Sequence, residues 1–99
     1  MLYWVIYDIS STKVRNKVVS ACKNYGLIRA QKSAFIGDLT RNKKEMLSLE
    51  IGKLQTSNTD CIFMIPSCKC CFSDKEIIGT LDEERLKERD FVIIQGKNE

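Results

Sequence analysis

The sequence predicts an α+β sandwich in which two amphipathic helices cover one face of a sheet. Three observations predict it. A short continuous apolar run opens the chain, two stretches then repeat apolar residues at helical spacing, and further short runs of strand-forming residues alternate with them. With 99 residues and a hydrophobic fraction of 43%, the chain has material for one core and reads as a single domain over 1–99.

Residues 2–7, Leu-Tyr-Trp-Val-Ile-Tyr, are too few for a helix and rich in aromatic and β-branched side chains, which predicts a buried central strand. It ends at Asp8. Ser10, Ser11 and Thr12 supply N-caps for a helix whose apolar face is Val14, Val18, Ala21, Cys22 and Tyr25, and Gly26 stops it.

Residues 28–37 alternate as one strand, with Ile28, Ala30, Ala34 and Ile36 on one face and Arg29, Gln31, Ser33 and Phe35 on the other. Thr40 caps a second helix through about Gln55, with Met46, Leu47, Ile51 and Leu54 facing inward. Gly52 inside that helix costs up to about 1 kcal/mol relative to Ala. Ser57 to Asp60 form a loop, Cys61 to Ile65 a buried strand, and Pro66 ends it. After a cysteine-rich connection, Glu76 to Ile78 and Phe91 to Ile94 read as short late strands, and Leu81 to Arg89 as a loop or helical turn. Two helices on one sheet face leave the other face without a cover, so a dimer is expected.

The 16 basic and 13 acidic residues give a net charge of +3, unevenly placed. Residues 1–49 carry nine basic and three acidic side chains, 9 − 3 = +6, and residues 50–99 carry seven and ten, 7 − 10 = −3. A basic half points to an anionic partner, of which nucleic acid is the commonest; a solvated charged surface is the other reading. There is no histidine, which excludes Ser-His-Asp, Cys-His and His-ligated zinc chemistry. The apolar opening lacks a basic leader and meets Asp8 at once, unlike a signal peptide, and no run is long enough to span a membrane. A cytoplasmic location with reduced thiols is therefore expected for the five cysteines.

Asp8 is the leading candidate for chemistry. It closes a buried strand just before a helix N-terminus, where backbone N–H groups and the hydroxyls of Ser10, Ser11 and Thr12 suit phosphate oxygens. Position alone also fits a carboxylate that merely caps a turn. Mg²⁺ is often held by one or two carboxylates with waters and phosphate, so a two-fold axis placing Asp8 opposite its copy would supply a site that one chain lacks. Arg15 and Lys17 fall about 100° and 300° around the helix from Val14 and flank the apolar stripe, and Arg29 projects from the next strand; together they suit backbone clamps, singly they are surface charge. Phe35 shares the face of Arg29 and either stacks a base or packs in a dimer interface. Cys68-Lys69-Cys70-Cys71 has the wrong spacing for a zinc ribbon and lacks a second C-x-x-C pair.

With Tyr7-Asp8-Ile9-Ser10, Val14-Arg15-Asn16-Lys17, Gly26-Leu27, Arg29 through Phe35 and Gly37-Asp38-Leu39 in that order, the chain resembles the CRISPR-associated endonuclease family Cas2 over residues 2 to about 95. That resemblance implies a ferredoxin-like β-α-β-β-α-β fold and a homodimer, with the C-terminal segment, about 76–95, at the interface and its strand added to the partner subunit. It implies Asp8 as catalytic residue and Mg²⁺ ligand, one ion being shared by both subunits. It implies cleavage of RNA or double-stranded DNA, and assembly with the CRISPR integrase during spacer acquisition in antiviral defence. The matched positions Ser10, Arg15, Lys17, Arg29, Ser33 and Phe35 then face nucleic acid, although Lys17 stands where arginine is frequent and Lys32 where an aromatic is frequent. A DNA-binding adaptor without catalysis, or a toxin-type ribonuclease resembling the virulence-associated D family, are the alternatives on the same fold.

Overall fold

The computed structural model describes residues 1–54 and 56–79. Their elements run β1 (Leu2–Asp8), α1 (Thr12–Asn24), β2 (Ile28–Gln31), β3 (Ala34–Asp38), α2 (Arg41–Gly52), β4 (Cys61–Ser67) and α3 (Lys69–Ser73). The sheet order is β2-β3-β1-β4 with every neighbouring pair antiparallel. This is the ferredoxin-like arrangement of two interleaved β-α-β units. The predicted α+β sandwich is therefore the observed one.

Alternation along β1 sends Val5 and Tyr7 to one side, where they form the main core with Val18, Ala21 and Cys22 of α1, Phe35, and Leu47 and Ile51 of α2. Both helices start where the sequence predicts. Ser11 Oγ accepts the Val14 N–H at 3.3 Å and Thr40 Oγ1 accepts that of Lys43 at 3.1 Å. The end of α1 is closed by Gly26 at φ +83°, with Leu27 N–H donating to Cys22 O and Gly26 N–H to Lys23 O, a Schellman closure that only a residue tolerant of positive φ allows cheaply.

The second face is half covered. Phe72 of α3 is buried against Leu2, Ile36, Trp4, Ile28 and Ala30, so the cysteine-rich connection is a helical turn that caps one end of this face. At the other end Phe63 and Ile65 stay 55% and 44% exposed.

Several expectations need correction. Residues 28–37 are a hairpin, turning at Lys32-Ser33. Ile28 pairs with Ile36 and Arg29 with Phe35, which keeps odd-even parity over these pairs, so the alternation does not reveal the reversal; a bulge then sets Gln31 against Ala34. Met46 is 50% exposed because the inward stripe of α2 runs through Leu47 and Ile51, and α2 ends at Gly52 instead of Gln55. β4 continues through Pro66, which pairs with Tyr3; β4 is an edge strand among the described residues, where proline's missing N–H is tolerated. It is also only half buried, since its Phe63 side has no cover. Glu76 to Ile78 form no strand, having no sheet neighbour among the described residues. Phe91 to Ile94, Leu81 to Arg89 and the strand added to a partner lie outside the described residues.

Candidate nucleic-acid interface

Three segments meet at one end of the sheet: the end of β1, the Lys32-Ser33 turn and the start of β4. Tyr7 joins the first two, its N–H donating to Ser33 O at 3.0 Å and its hydroxyl to Lys32 O at 2.9 Å. Asp8 pairs in register with Cys61 of β4. It follows Trp4 and Ile6 on the half-covered face, at the end away from Phe72, and is exposed, and its carboxylate has no hydrogen bond or ion pair among the described residues.

The turn after Asp8 is braced from two sides. Arg15 Nη1 donates to the carbonyls of Ile9 at 2.8 Å and Ser10 at 3.1 Å, and Nη2 donates to Thr12 Oγ1 at 2.8 Å. The fork of one guanidinium thus closes the segment that carries Asp8 onto the first turn of α1. From the other side, Asp60 Oδ1 accepts the backbone N–H of Ser10 at 3.0 Å and its hydroxyl at 3.2 Å, while Oδ2 accepts the Ser57 N–H at 3.1 Å. The Ser10 N–H, with the Ser57 donors, holds the Asp60 carboxyl below the usual carboxylate range, against a smaller opposing effect of burial.

Arg29 reaches over Phe35, with its guanidinium carbon 5.2 Å from the ring centroid and Nη2 3.5 Å from the Tyr7 hydroxyl. Among the described residues its Nε is buried without a hydrogen-bond partner, and the Phe35 π face and the Tyr7 oxygen hold the cation there.

The predicted site residues therefore separate. Asp8, Ser10, Arg15, Arg29 and Ser33 gather around one end of the sheet. Ser33 is an exposed turn residue, and the hydroxyl of Ser10 is turned to Asp60. Lys17 is exposed and lines, with Lys13 and Lys53, an open groove of about 530 Å³ beside α1 and the end of α2. Phe35 is a correction: it is fully buried on the helix side and stacked with Tyr7 at 6.4 Å, so its ring offers no surface to a base and no contact to a partner subunit.

Sequence reasoning missed Asp60 and the bracing role of Arg15. The signal for Asp60 was local, a carboxylate three residues after Ser57 in a Ser-Asn-Thr-Asp turn. Its reach to Ser10 needs the fold.

Among the described residues no group of three Cys, Asp or Glu side chains could hold a metal ion, and no helix is long and apolar enough to cross a membrane. Among the described residues, Asp8 is the carboxylate at this end without a hydrogen bond or ion pair. That fits a cation taking one carboxylate from each of two chains with water completing its shell.

Comparisons with known proteins agree with the fold. Residues 1–75 match the family described as CRISPR associated protein Cas2. A CRISPR-associated endoribonuclease Cas2 of Archaeoglobus fulgidus is 39% identical over 89 residues, 90% of this chain and 95% of that protein. One of Desulforudis audaxviator is 41% identical over 64 residues, 65% of this chain and 60% of that one. The crystal structure of a hypothetical protein from Thermus thermophilus superposes with a TM-score of 0.68 at 28% identity, covering 81% of this chain and 92% of that one.

Proposed function

This chain belongs to the Cas2 family, and from that premise we propose that it is a CRISPR-associated endonuclease whose metal-dependent site is shared by two subunits. The observation that carries this reading is the exposed, unpartnered Asp8 beside an uncovered apolar sheet face. Two copies joined through that face bring two Asp8 carboxylates together, and their mutual repulsion favours a cation between them.

Asp8 from each subunit would hold the ion, Mg²⁺ being suited to two carboxylates plus water. Bound there, Mg²⁺ supplies Lewis-acid stabilisation of the scissile phosphate and lowers the pKa of water. Arg15 and Asp60 fix the Ile9-Ser10 backbone so that Asp8 stays aimed. Arg29, oriented by Phe35 and Tyr7, places positive charge at the same end of the sheet for the substrate backbone. The +6 balance of residues 1–49 draws the polyanion to the surface.

Cleavage of single-stranded RNA and of duplex DNA, with and without Mg²⁺, tests the reading beside Asp8→Asn. Loss of cleavage in a folded Asp8→Asn protein is expected; undiminished activity overturns it. The lone carboxylate per chain favours one second reading, a duplex-binding adaptor of the spacer-integration complex that docks the integrase subunit and cleaves nothing. Spacer acquisition that survives Asp8→Asn selects it.

A further inference from the structure

The five cysteines fall into distinct environments. Cys22 is buried in the main core, and burial pushes its thiol up to about 12, so it is inert at neutral pH. Cys61, Cys68, Cys70 and Cys71 are exposed. The last three crowd onto the single turn of α3, which none of the nuclease chemistry uses.

Within that turn one pair is singled out by contact. Cys68 is the N-cap, and its Sγ accepts the Cys71 backbone N–H at 3.3 Å. The C-x-x-C spacing and this cap contact hold the Cys71 backbone against the Cys68 sulfur. The backbone N–H of Cys70 also contributes to lowering the Cys68 pKa, less than that of Cys71, but Cys70 stands outside the C-x-x-C spacing.

We propose that Cys68 and Cys71 form a reversible dithiol–disulfide site that exchanges with low-molecular-weight disulfides of the glutathione class. Cys68 is the attacking sulfur and Cys71 the resolving one. The Cys68 thiolate attacks one sulfur of the disulfide RSSR, forming a Cys68–SR mixed disulfide and releasing RS⁻. The Cys71 thiol passes its proton to that RS⁻ and attacks Cys68 Sγ, which expels the second RS⁻; this takes up the proton released when Cys68 ionised. The protein dithiol is oxidised by two electrons and RSSR is reduced to two RSH.

The asymmetry of roles follows from the hydrogen bonds. The Cys71 N–H and then its thiol stabilise a thiolate on Cys68 and lower its pKa, whereas donating to Cys68 and lying beside its charge raise that of Cys71. Phe72 anchors the turn, buried at 6.2 Å from the Trp4 ring. A Cys68–Cys71 bond ties the cap to that turn, so oxidation is felt at the single tryptophan of the chain.

The test equilibrates the full chain in reduced and oxidised glutathione, quenches by alkylation and maps the products by mass spectrometry, with Trp4 fluorescence read in parallel. Loss of two hydrogens at a Cys68–Cys71 crosslink is expected, with Cys70 alkylated in the folded chain, Cys22 alkylated only once the chain is unfolded, and the change reversed by dithiothreitol. Cys71→Ser should stop at glutathionylated Cys68, and Cys70→Ser should form the wild-type crosslink. Cys68→Ser keeps a good N-cap oxygen, so its loss of the disulfide reports chemistry and not unfolding. A crosslink that maps to Cys70 or between chains, or no intramolecular crosslink in oxidised glutathione, overturns the proposal.

Discussion

Asp60 and Ser10, fifty residues apart, are joined twice through one oxygen: Asp60 Oδ1 takes both the backbone N–H and the hydroxyl of Ser10. The pair ties the loop before β4 to the turn that follows Asp8, so the position of the candidate metal ligand depends on a carboxylate outside the family-like motif. These hydrogen bonds depress the Asp60 pKa in the folded chain. A depressed folded pKa contributes stability that is present above the unfolded value, about 3.9, and is lost as pH falls through the folded value. Urea midpoints of wild type and Asp60→Asn should therefore differ at pH 7, wild type being higher, and converge below about pH 4. A gap that stays constant with pH would assign the difference to packing.

The order of elements and both helix caps were legible because local chemistry decides them: the caps at Ser11, Thr40 and Gly26 join groups three to five residues apart. What was illegible depends on partners distant in sequence or on parity. Ile28 faces Ile36 and Arg29 faces Phe35, so over these pairs one strand and a hairpin give the same alternation, and only the bulge that sets Gln31 against Ala34 departs from it. Pro66 looks like a strand end until β4 is seen to pair with β1 along its whole length. Asp8 could be placed at its strand end from sequence, whereas Arg15 could be placed only on a helix face. That its fork turns back to Ile9 and Ser10 instead of outward is a matter of side-chain geometry.

Arg15 is accordingly expected to act as a brace. Arg15→Lys keeps the charge but loses the fork that joins two carbonyls and Thr12 Oγ1, and should destabilise the chain by about 1 to 2 kcal/mol. Urea unfolding measures this. The salt dependence of nucleic-acid binding should change little in the same variant, because the charge count is unchanged. A steeper loss of affinity than of stability would identify Arg15 as a direct phosphate contact.

Gly37 is fixed by close packing and not by backbone conformation. A Cβ there would stand 3.1 Å from the Leu27 Cα and would overlap the Leu27 side chain. Backbone on the opposite side cannot give way cheaply, so Gly37→Ala should cost about 1 to 3 kcal/mol, seen as a lower thermal midpoint. An unchanged midpoint would show that β3 and the α1-β2 connection can separate freely.

Phe35 gives the sharpest contrast between a stability role and a binding role. Its ring is fully buried beneath Arg29 and beside Tyr7, so Phe35→Ala should lose about 3 to 5 kcal/mol of stability. Affinity for RNA or DNA per folded molecule should follow the displacement of Arg29 and not the loss of a stacking surface. Phe35→Leu keeps a core side chain and should therefore retain most binding, which fluorescence anisotropy on the folded fraction can check.

The uncovered sheet face provides the remaining prediction. Register places Phe63 opposite Ile6 and Ile65 opposite Trp4, making one continuous apolar patch that ends at Asp8. Covering it with a second copy removes Phe63 and Ile65 from water and brings the two Asp8 carboxylates to a common edge. Phe63→Glu buries an unpaired charge in that contact, at about 3 kcal/mol or more, and should weaken self-association at least about a hundredfold. Sedimentation at micromolar concentration should show monomers, and cleavage should fall with the dimer fraction although Asp8 is untouched. Leu49→Glu is the control: Leu49 is 67% exposed on α2, on the helix side of the sheet, so apolarity alone does not place it in the contact. A Phe63→Glu protein that remains dimeric would move the interface elsewhere, and one that is monomeric yet fully active would dissolve the shared site.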